Sequence, residues 1–239
     1  MSKVREVAWQ NDWTLDYTEV GEVSVKFKEG VDALLAVRTA CMNEGAGILE
    51  HVDCGKILGN AVVGYFEFLQ DAHGTAGACI LTLKKAYDTM AVAGQANGDR
   101  FPSIIDSYNP MEMSGEFRMG NRVNAPDIQW LVSEIGSGKT PPVIEAAVSA
   151  IQAIKTASCV EMPDDVKNIL DDTCAALTET VDSMKQVRTN LVNSATTIQQ
   201  ELAAAVKTTN DNDSKLNQAL DTASDKEKAM RSTTATTKQ

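Results

Sequence analysis

Aromatic residues, histidines and long apolar runs are scarce in this chain of 239 residues, and each shortage excludes classes of protein. Aromatics make up 5% of the sequence, and two histidines are too few for most catalytic or metal-binding constellations. No segment reaches the roughly 18–20 apolar residues of a membrane span, since Glu67 interrupts the best run, residues 61–69. Residues 1–6 lack the apolar core of a signal peptide. We expect no catalytic residue, no cofactor, no metal site and no membrane span.

Positive charge is also in short supply, because the formal net charge is -11. Residues 1–206 carry 28 acidic and 16 basic side chains, whereas residues 207–239 carry 5 acidic and 6 basic ones. This balance argues against binding to nucleic acid or to anionic lipid, both of which need clustered Lys and Arg. Five cysteines without Cys-x-x-Cys spacing indicate free buried thiols, with a disulfide between Cys41 and Cys54 across the predicted turn as the alternative.

What the chain does contain is an apolar seam that occurs twice, with steps of four and three residues. Such a seam predicts a long helix that packs lengthwise against other helices. The second seam follows the first at a constant offset of 112 residues, and only Arg188 interrupts it. Arg188 aligns with Ala76, so we expect the small residues 74–77 to make room for it. The seam residues are Tyr65, Leu69, Ala72, Ala76, Cys79, Leu83, Ala86 and Met90, then Leu177, Val181, Met184, Leu191, Ala195, Ile198 and Leu202.

Breaker residues divide the chain into two similar halves. Gly45 and Gly47 are predicted to end a first helix, and Thr140 is predicted to cap a later one ahead of Pro141. The predicted fold class is all-α, with two long antiparallel helical hairpins packed as an elongated four-helix bundle. The predicted segments are an N-terminal tail (1–17), hairpin 1 (18–95), a linker or irregular cap (96–127), hairpin 2 (128–208) and a polar, fraying C-terminal tail (209–239).

Two motifs are compatible with ligand chemistry but are better explained structurally. Residues 136–140, Gly-Ser-Gly-Lys-Thr, resemble the end of a phosphate loop, yet Ser133 stands where that motif needs its first glycine. We interpret the segment as a turn before a helix. Glu67 and Asp71 lie four residues apart and could meet a cation, but such a pair is more typical of a solvated helix face.

Residues 50–99 resemble the second helix of actinobacterial ESAT-like proteins, the Trp-x-Gly-type helical hairpins linked to type VII secretion. The residues that carry the resemblance are Tyr65, Phe66, Phe68, Ala86, Tyr87, Gly98 and Asp99. Neither turn of this chain has Trp-x-Gly, and Ala91 stands where the family's export signal needs an acid after Tyr87. The resemblance implies a secreted or secretion-associated helical protein that pairs with another hairpin.

The resulting prediction is a non-enzymatic helical interaction protein, a type VII secretion-associated substrate, partner or escort whose two hairpins pair within one chain. Its partner would be another helical hairpin or an exported effector, and the chain would be a monomer or a dimer. It would be secreted without a cleaved signal peptide, or cytoplasmic before export. Two alternatives stay open: a pore-forming or toxin-type protein that inserts residues 101–105, and a phage or structural assembly protein.

Overall fold

Apolar side chains at three- and four-residue steps form four long helices, and these pack into an all-α bundle. The computed structural model describes residues 14–15, 20–51, 55–95, 101–113, 125–157 and 160–236. The elements are β1 (Thr14–Leu15), α1 (Val20–His51), α2 (Gly55–Gln95), α3 (Ala125–Trp130), a π-helix (Leu131–Ile135), α4 (Thr140–Lys155), β2 (Val160–Glu161) and α5 (Asp164–Thr236).

Each long helix packs between two neighbours, so that hairpin packs on hairpin. Helix α1 contacts α2 and α4, and α5 contacts the same two helices from the opposite corner. Within the first hairpin, Tyr65 reaches Glu44 and Tyr87 reaches Ser24, which makes α1 and α2 antiparallel. Thr140 likewise reaches Glu44 at the start of α4, which makes α4 antiparallel to α1. Helices α2 and α4 therefore run parallel across the diagonal of the bundle.

This topology requires a long connection, since α2 ends at the far end of the bundle from the point where α4 begins. Residues 101–113 form part of this connection, and we call them the strap because they lie extended along the groove between α1 and α2. Ile104 is buried against the hairpin, and the ring of Phe101 meets the ring of Tyr87 edge-on at 5.8 Å. The strap is therefore part of the packed structure.

The first helix does not end at Gly45 and Gly47, as the sequence had suggested, but continues to His51. Both glycines instead permit close packing on the side of a continuous helix. A Cβ on Gly47 would lie 2.6 Å from the indole of Trp130, and a Cβ on Gly45 would meet the thioether of Met113. The two glycines thus mark positions where α3 and the strap press against α1.

Two further predictions about helix ends are wrong. Thr140 is the first residue of α4, and its hydroxyl donates to the carboxylate of Glu44 instead of capping its own helix. The polar segment 209–239 is not a frayed tail over most of its length, because α5 continues to Thr236. We call residues 201–236 of α5 the arm.

At the other end of the bundle, Thr14–Leu15 pairs antiparallel with Val160–Glu161. This two-residue ladder ties part of the predicted N-terminal tail to the turn between α4 and α5. The rest of that predicted tail, residues 1–13 and 16–17, lies outside the described residues.

Candidate functional site

The two seams form the interior of the bundle. All eight seam residues of α2 are buried, and so are those of α5 from Leu177 to Ala195, apart from the interruption at Arg188. Ile198 is partly buried at the edge of the core, and Leu202 is 39% exposed. The apolar face of the two seam helices is thus covered by the chain itself as far as Ala195, and in part at Ile198.

A polar cluster joins the two hairpins at the end of the bundle where α1 finishes and α4 begins. The carboxylate of Glu44 accepts a hydrogen bond of 3.0 Å from the Tyr65 hydroxyl and a second one from the hydroxyl of Thr140. Glu44 lies on α1, Tyr65 on α2 and Thr140 on α4, so one carboxylate connects three helices. A buried polar group that must be satisfied by specific partners favours a single register between packed helices.

The charge on Glu44 is opposed by burial and supported by its neighbours. Burial raises the pKa of Glu44 above its ordinary value, while the two hydroxyl donors and the positive charges of Lys139 and Arg188 lower it. Burial also raises the pKa of Tyr65, and the nearby carboxylate adds to that effect. The cluster therefore fixes the Tyr65 hydroxyl, as a hydrogen-bond donor, beside the Glu44 carboxylate.

Arg188 is not accommodated by residues 74–77, as the sequence alignment of the two halves had suggested. Its guanidinium packs against Gly138 in the turn before α4, where any Cβ would overlap it. Gly138 has φ +62°, which glycine adopts at little cost. The expectation failed because α2 and α5 are antiparallel: residue 188 faces the Tyr65 region, whereas Gly77 faces Tyr108 and Arg38.

The turn at residues 136–140 is a structural turn in this arrangement. The amide of Gly138 donates to the carbonyl of Ile135, and Lys139 pairs with Glu134 at 2.6 Å. Beside the turn lies a cavity of about 250 Å³, lined by Ala40, Asn43, Glu44, Trp130, Glu134, Lys139 and Thr140. Its two carboxylates, of Glu44 and Glu134, are already paired with the Thr140 hydroxyl and the Lys139 ammonium group that line it. The turn therefore lacks the free cradle that a phosphate group requires.

A second polar cluster fastens the strap. Arg38 is 7% exposed; its Nε donates to Nε2 of His73 at 3.2 Å, and its Nη2 donates to the carbonyl of Met111 at 2.6 Å. Its guanidinium also lies 5.0 Å from the centre of the Tyr108 ring, and the Tyr108 hydroxyl donates to the carbonyl of Gly77. The remaining nitrogen, Nη1, is buried without a hydrogen-bond partner in the part of the chain that the structure describes.

His73 must be neutral to accept from Arg38. Burial and the adjacent guanidinium lower the pKa of His73, and Glu112 on the strap acts in the opposite direction. Neither Arg38 nor this role for His73 was predicted from the sequence. A basic residue within the apolar pattern of α1, at the step between Val37 and Cys41, was the available signal.

The cysteines that the structure describes, Cys41, Cys79 and Cys174, are buried and have no reactive thiol. Cys41 and Cys79 are free, and burial raises the pKa of each thiol to about 12. A thiol with so high a pKa stays protonated at neutral pH and is a poor nucleophile. These side chains act as small apolar residues of the core.

The arm is the largest feature that the bundle does not cover. Every residue from 201 to 226 is exposed, although all belong to the same continuous helix as the buried seam. Four large apolar side chains lie on it: Leu202 is 39% exposed, Val206 59%, Leu216 60% and Leu220 59%. The arm is therefore the strongest candidate for a surface that binds another molecule.

Ligand sites and homologous proteins give no further assignment. Within the described ranges, no group of three or more His, Cys, Asp and Glu could hold a metal ion, and Glu67 and Asp71 are both exposed. No helix in those ranges is both long and apolar enough to cross a membrane. Comparisons with protein-family models, curated proteins and solved structures find no match to this chain.

Proposed function

We propose that this chain is a non-enzymatic helical interaction protein that binds a protein partner through the arm. The observation that carries the proposal is the contrast along α5. Its seam residues are buried by the chain itself as far as Ala195, apart from Arg188, whereas the apolar residues between 201 and 226 are all exposed. Exposed apolar residues that recur along one helix face mark a surface for helix-to-helix docking.

We further propose that this chain is a type VII secretion-associated substrate or escort. The support is the resemblance of residues 50–99 to ESAT-like hairpins, together with the packing of hairpin on hairpin inside one chain. In such an arrangement the partner hairpin is supplied by the chain itself. The arm is then the part left to engage other components.

Other features of the bundle support a binding role rather than a chemical one. Each oxygen of the Glu44 carboxylate accepts from one hydroxyl, and His73 accepts from Arg38, so both groups are engaged in contacts that join the helices. Residues 101–105, the segment proposed for membrane insertion in the pore-forming alternative, pack on the first hairpin through Phe101 and Ile104.

The test is export from cells of the native host, with and without the type VII ATPase. We expect the chain in the medium only when the ATPase is present. The double variant Leu216→Glu/Leu220→Glu should be retained in the cells, because glutamates interrupt the apolar surface of the arm. Leu81→Glu is the matched control, since Leu81 is 52% exposed on the bundle and should tolerate the charge.

Export that continues without the ATPase would contradict the secretion assignment. Equal export of the arm variant and the Leu81 variant would show that the arm is not the docking surface.

A further inference from the structure

The four large apolar residues of the arm lie along one face of the helix, as two pairs separated by polar residues. Leu202, Val206, Leu216 and Leu220 are joined by Thr209 and Asp213 at alternating steps of four and three residues. At about 100° per residue, these six positions fall within a stripe roughly 80° wide. This width is suited to packing against one other helix rather than against a broad surface.

The stripe continues an interface that the structure already contains. Leu191, Ala195 and Ile198 face α2 and the core, and the same helical phase carries this face directly onto Leu202 and Val206. The arm therefore presents the same kind of surface as the buried seam. Among the described residues it has no neighbouring helix, because α2 and α4 both begin beside the bundle part of α5.

Composition also argues that the arm gains stability from a neighbouring helix. Residues 207–213 are one lysine, two threonines, two asparagines and two aspartates, all of which except lysine are weak helix formers. The hydroxyls of Thr208 and Thr209 bond back to the carbonyls of Ala204 and Ala205 within the same helix. A helix of this composition is marginal in water unless it packs on another element.

Charge favours a second copy of this chain as that element. Residues 1–200 carry 27 acidic and 16 basic side chains, whereas the arm carries 6 acidic and 5 basic ones. Two bundles repel each other strongly, while two nearly neutral arms approach with little repulsion. An interface built from arms alone allows the chain to self-associate despite its net charge of -11.

The shape of the molecule then selects the orientation. The stripe lies on the side of α5 that faces the bundle, so arms paired in parallel would bring both bundles into the same space. Antiparallel arms place the two bundles at opposite ends of an arm about 54 Å long. Overlap along the whole arm puts the two-fold axis near Gln218, with Leu216 of each copy opposite Leu220 of the other.

We propose that two copies of this chain associate through antiparallel pairing of their arms, centred on Leu216 and Leu220. This inference rests on the proposed function, since it names the partner of the same surface. The chain would then be a dimer in which each bundle is displayed at one end. A helix from a different protein is the competing occupant of the stripe.

Light scattering coupled to size-exclusion chromatography tests the proposal on the full chain. The mass should be twice that of one chain at about 100 µM and fall toward that of one chain on dilution to about 1 µM. Leu216→Glu/Leu220→Glu should weaken self-association at least about 100-fold, with an unchanged melting temperature for the bundle. Leu81→Glu should associate like the unmodified chain.

Crosslinking between lysines of isotopically mixed copies tests the orientation. Lys207 and Lys226 lie about 28 Å apart along one arm but within one helical turn of each other in the antiparallel pair. A short crosslinker should therefore join Lys207 of one copy to Lys226 of the other. Crosslinks between the two Lys207 residues without that product indicate parallel arms and overturn the proposal.

The remaining outcomes separate this inference from the proposed function. A chain that stays monomeric at about 100 µM overturns the second copy as partner. If its export still depends on Leu216 and Leu220, the proposed function stands with a different helix as partner. A dimer that survives the arm substitutions also overturns the inference, whereas an intact arm dimer that is exported without the ATPase overturns only the secretion assignment.

Discussion

The two parts of α5 have similar apolar spacing and opposite surroundings. From Leu177 to Ala195 the apolar seam residues are buried, whereas from residue 201 to residue 226 every side chain is exposed. The change occurs where α5 extends past the first residues of its two antiparallel neighbours, since α2 begins at Gly55 and α4 at Thr140. An apolar stripe therefore predicts that a helix can be covered, but the length of its neighbours decides whether it is.

The largest expected effect comes from removing one leucine on each side of this boundary. Leu191→Ala should lower the free energy of unfolding by about 2–5 kcal/mol, because it leaves a cavity in the bundle. Leu220→Ala should change the free energy of unfolding of the diluted monomer by less than about 0.5 kcal/mol. Denaturant titration at low protein concentration measures both. Equal losses would show that the arm folds against the bundle.

The second comparison concerns the polar residues that interrupt each stripe. Arg188→Leu should destabilise the bundle by about 1–2 kcal/mol at neutral pH, because the half-buried carboxylate of Glu44 keeps its charge and loses a positive neighbour. Asp213→Leu, in the exposed stripe, should leave the monomer's free energy of unfolding unchanged and strengthen self-association.

The pH dependence of Arg188→Leu provides its control. Burial raises the pKa of Glu44 in the folded chain, so lowering the pH protonates this carboxyl in the folded state before it does so in the unfolded one. The deficit of the variant should therefore shrink as the pH falls toward about 4.3, the ordinary pKa of a glutamate. A deficit that stays constant with pH would mean that packing against Gly138, and not charge, is what Arg188 contributes.

Two glycines within the bundle test whether the space beside a helix determines the effect of one added methyl group on stability. Gly47→Ala should destabilise by about 1–2 kcal/mol, because the new Cβ would press on Trp130. Gly74→Ala should instead stabilise by roughly 0.5–1 kcal/mol, since no atom outside its own helix lies within 4 Å of the new Cβ. Thermal melts of the two variants should move in opposite directions, and two losses would contradict the close-packing explanation of Gly47.

The smallest expected effect is the change in the free energy of unfolding with pH that His73 in the bundle causes. The pKa of His73 is lowered in the folded chain, so below about pH 6.5 the unfolded chain binds a proton that the folded chain does not. The free energy of unfolding should therefore fall as the pH drops from about 6.5. His73→Gln, which keeps an acceptor for Arg38, should reduce this slope, and His51→Gln is the control. An unchanged slope would contradict the buried, neutral state of His73.

Much of the fold could be predicted from spacing, since residues such as Tyr65, Leu83 and Leu177 lie on one face of their helix whatever surrounds it. The all-α bundle of packed hairpins follows from these positions. The helix ends were harder, because Gly45 and Gly47 have the same sequence signal whether they end a helix or admit Trp130 and Met113. Arg38 was missed because its partners, His73 and the carbonyl of Met111, are 35 and 73 residues away in the chain.

Amide hydrogen exchange along α5, measured at two protein concentrations, is the most direct test of the central claim. It shows whether the bundle is stable in one chain while the arm is stabilised by a second copy. Residues 170–195 should be strongly protected and should exchange at the same rate at both concentrations. Residues 201–226 should exchange fast in dilute solution and become protected as the concentration rises. Strong protection of the arm in dilute solution, or fast exchange at every concentration, would contradict its role as a surface that a second copy covers.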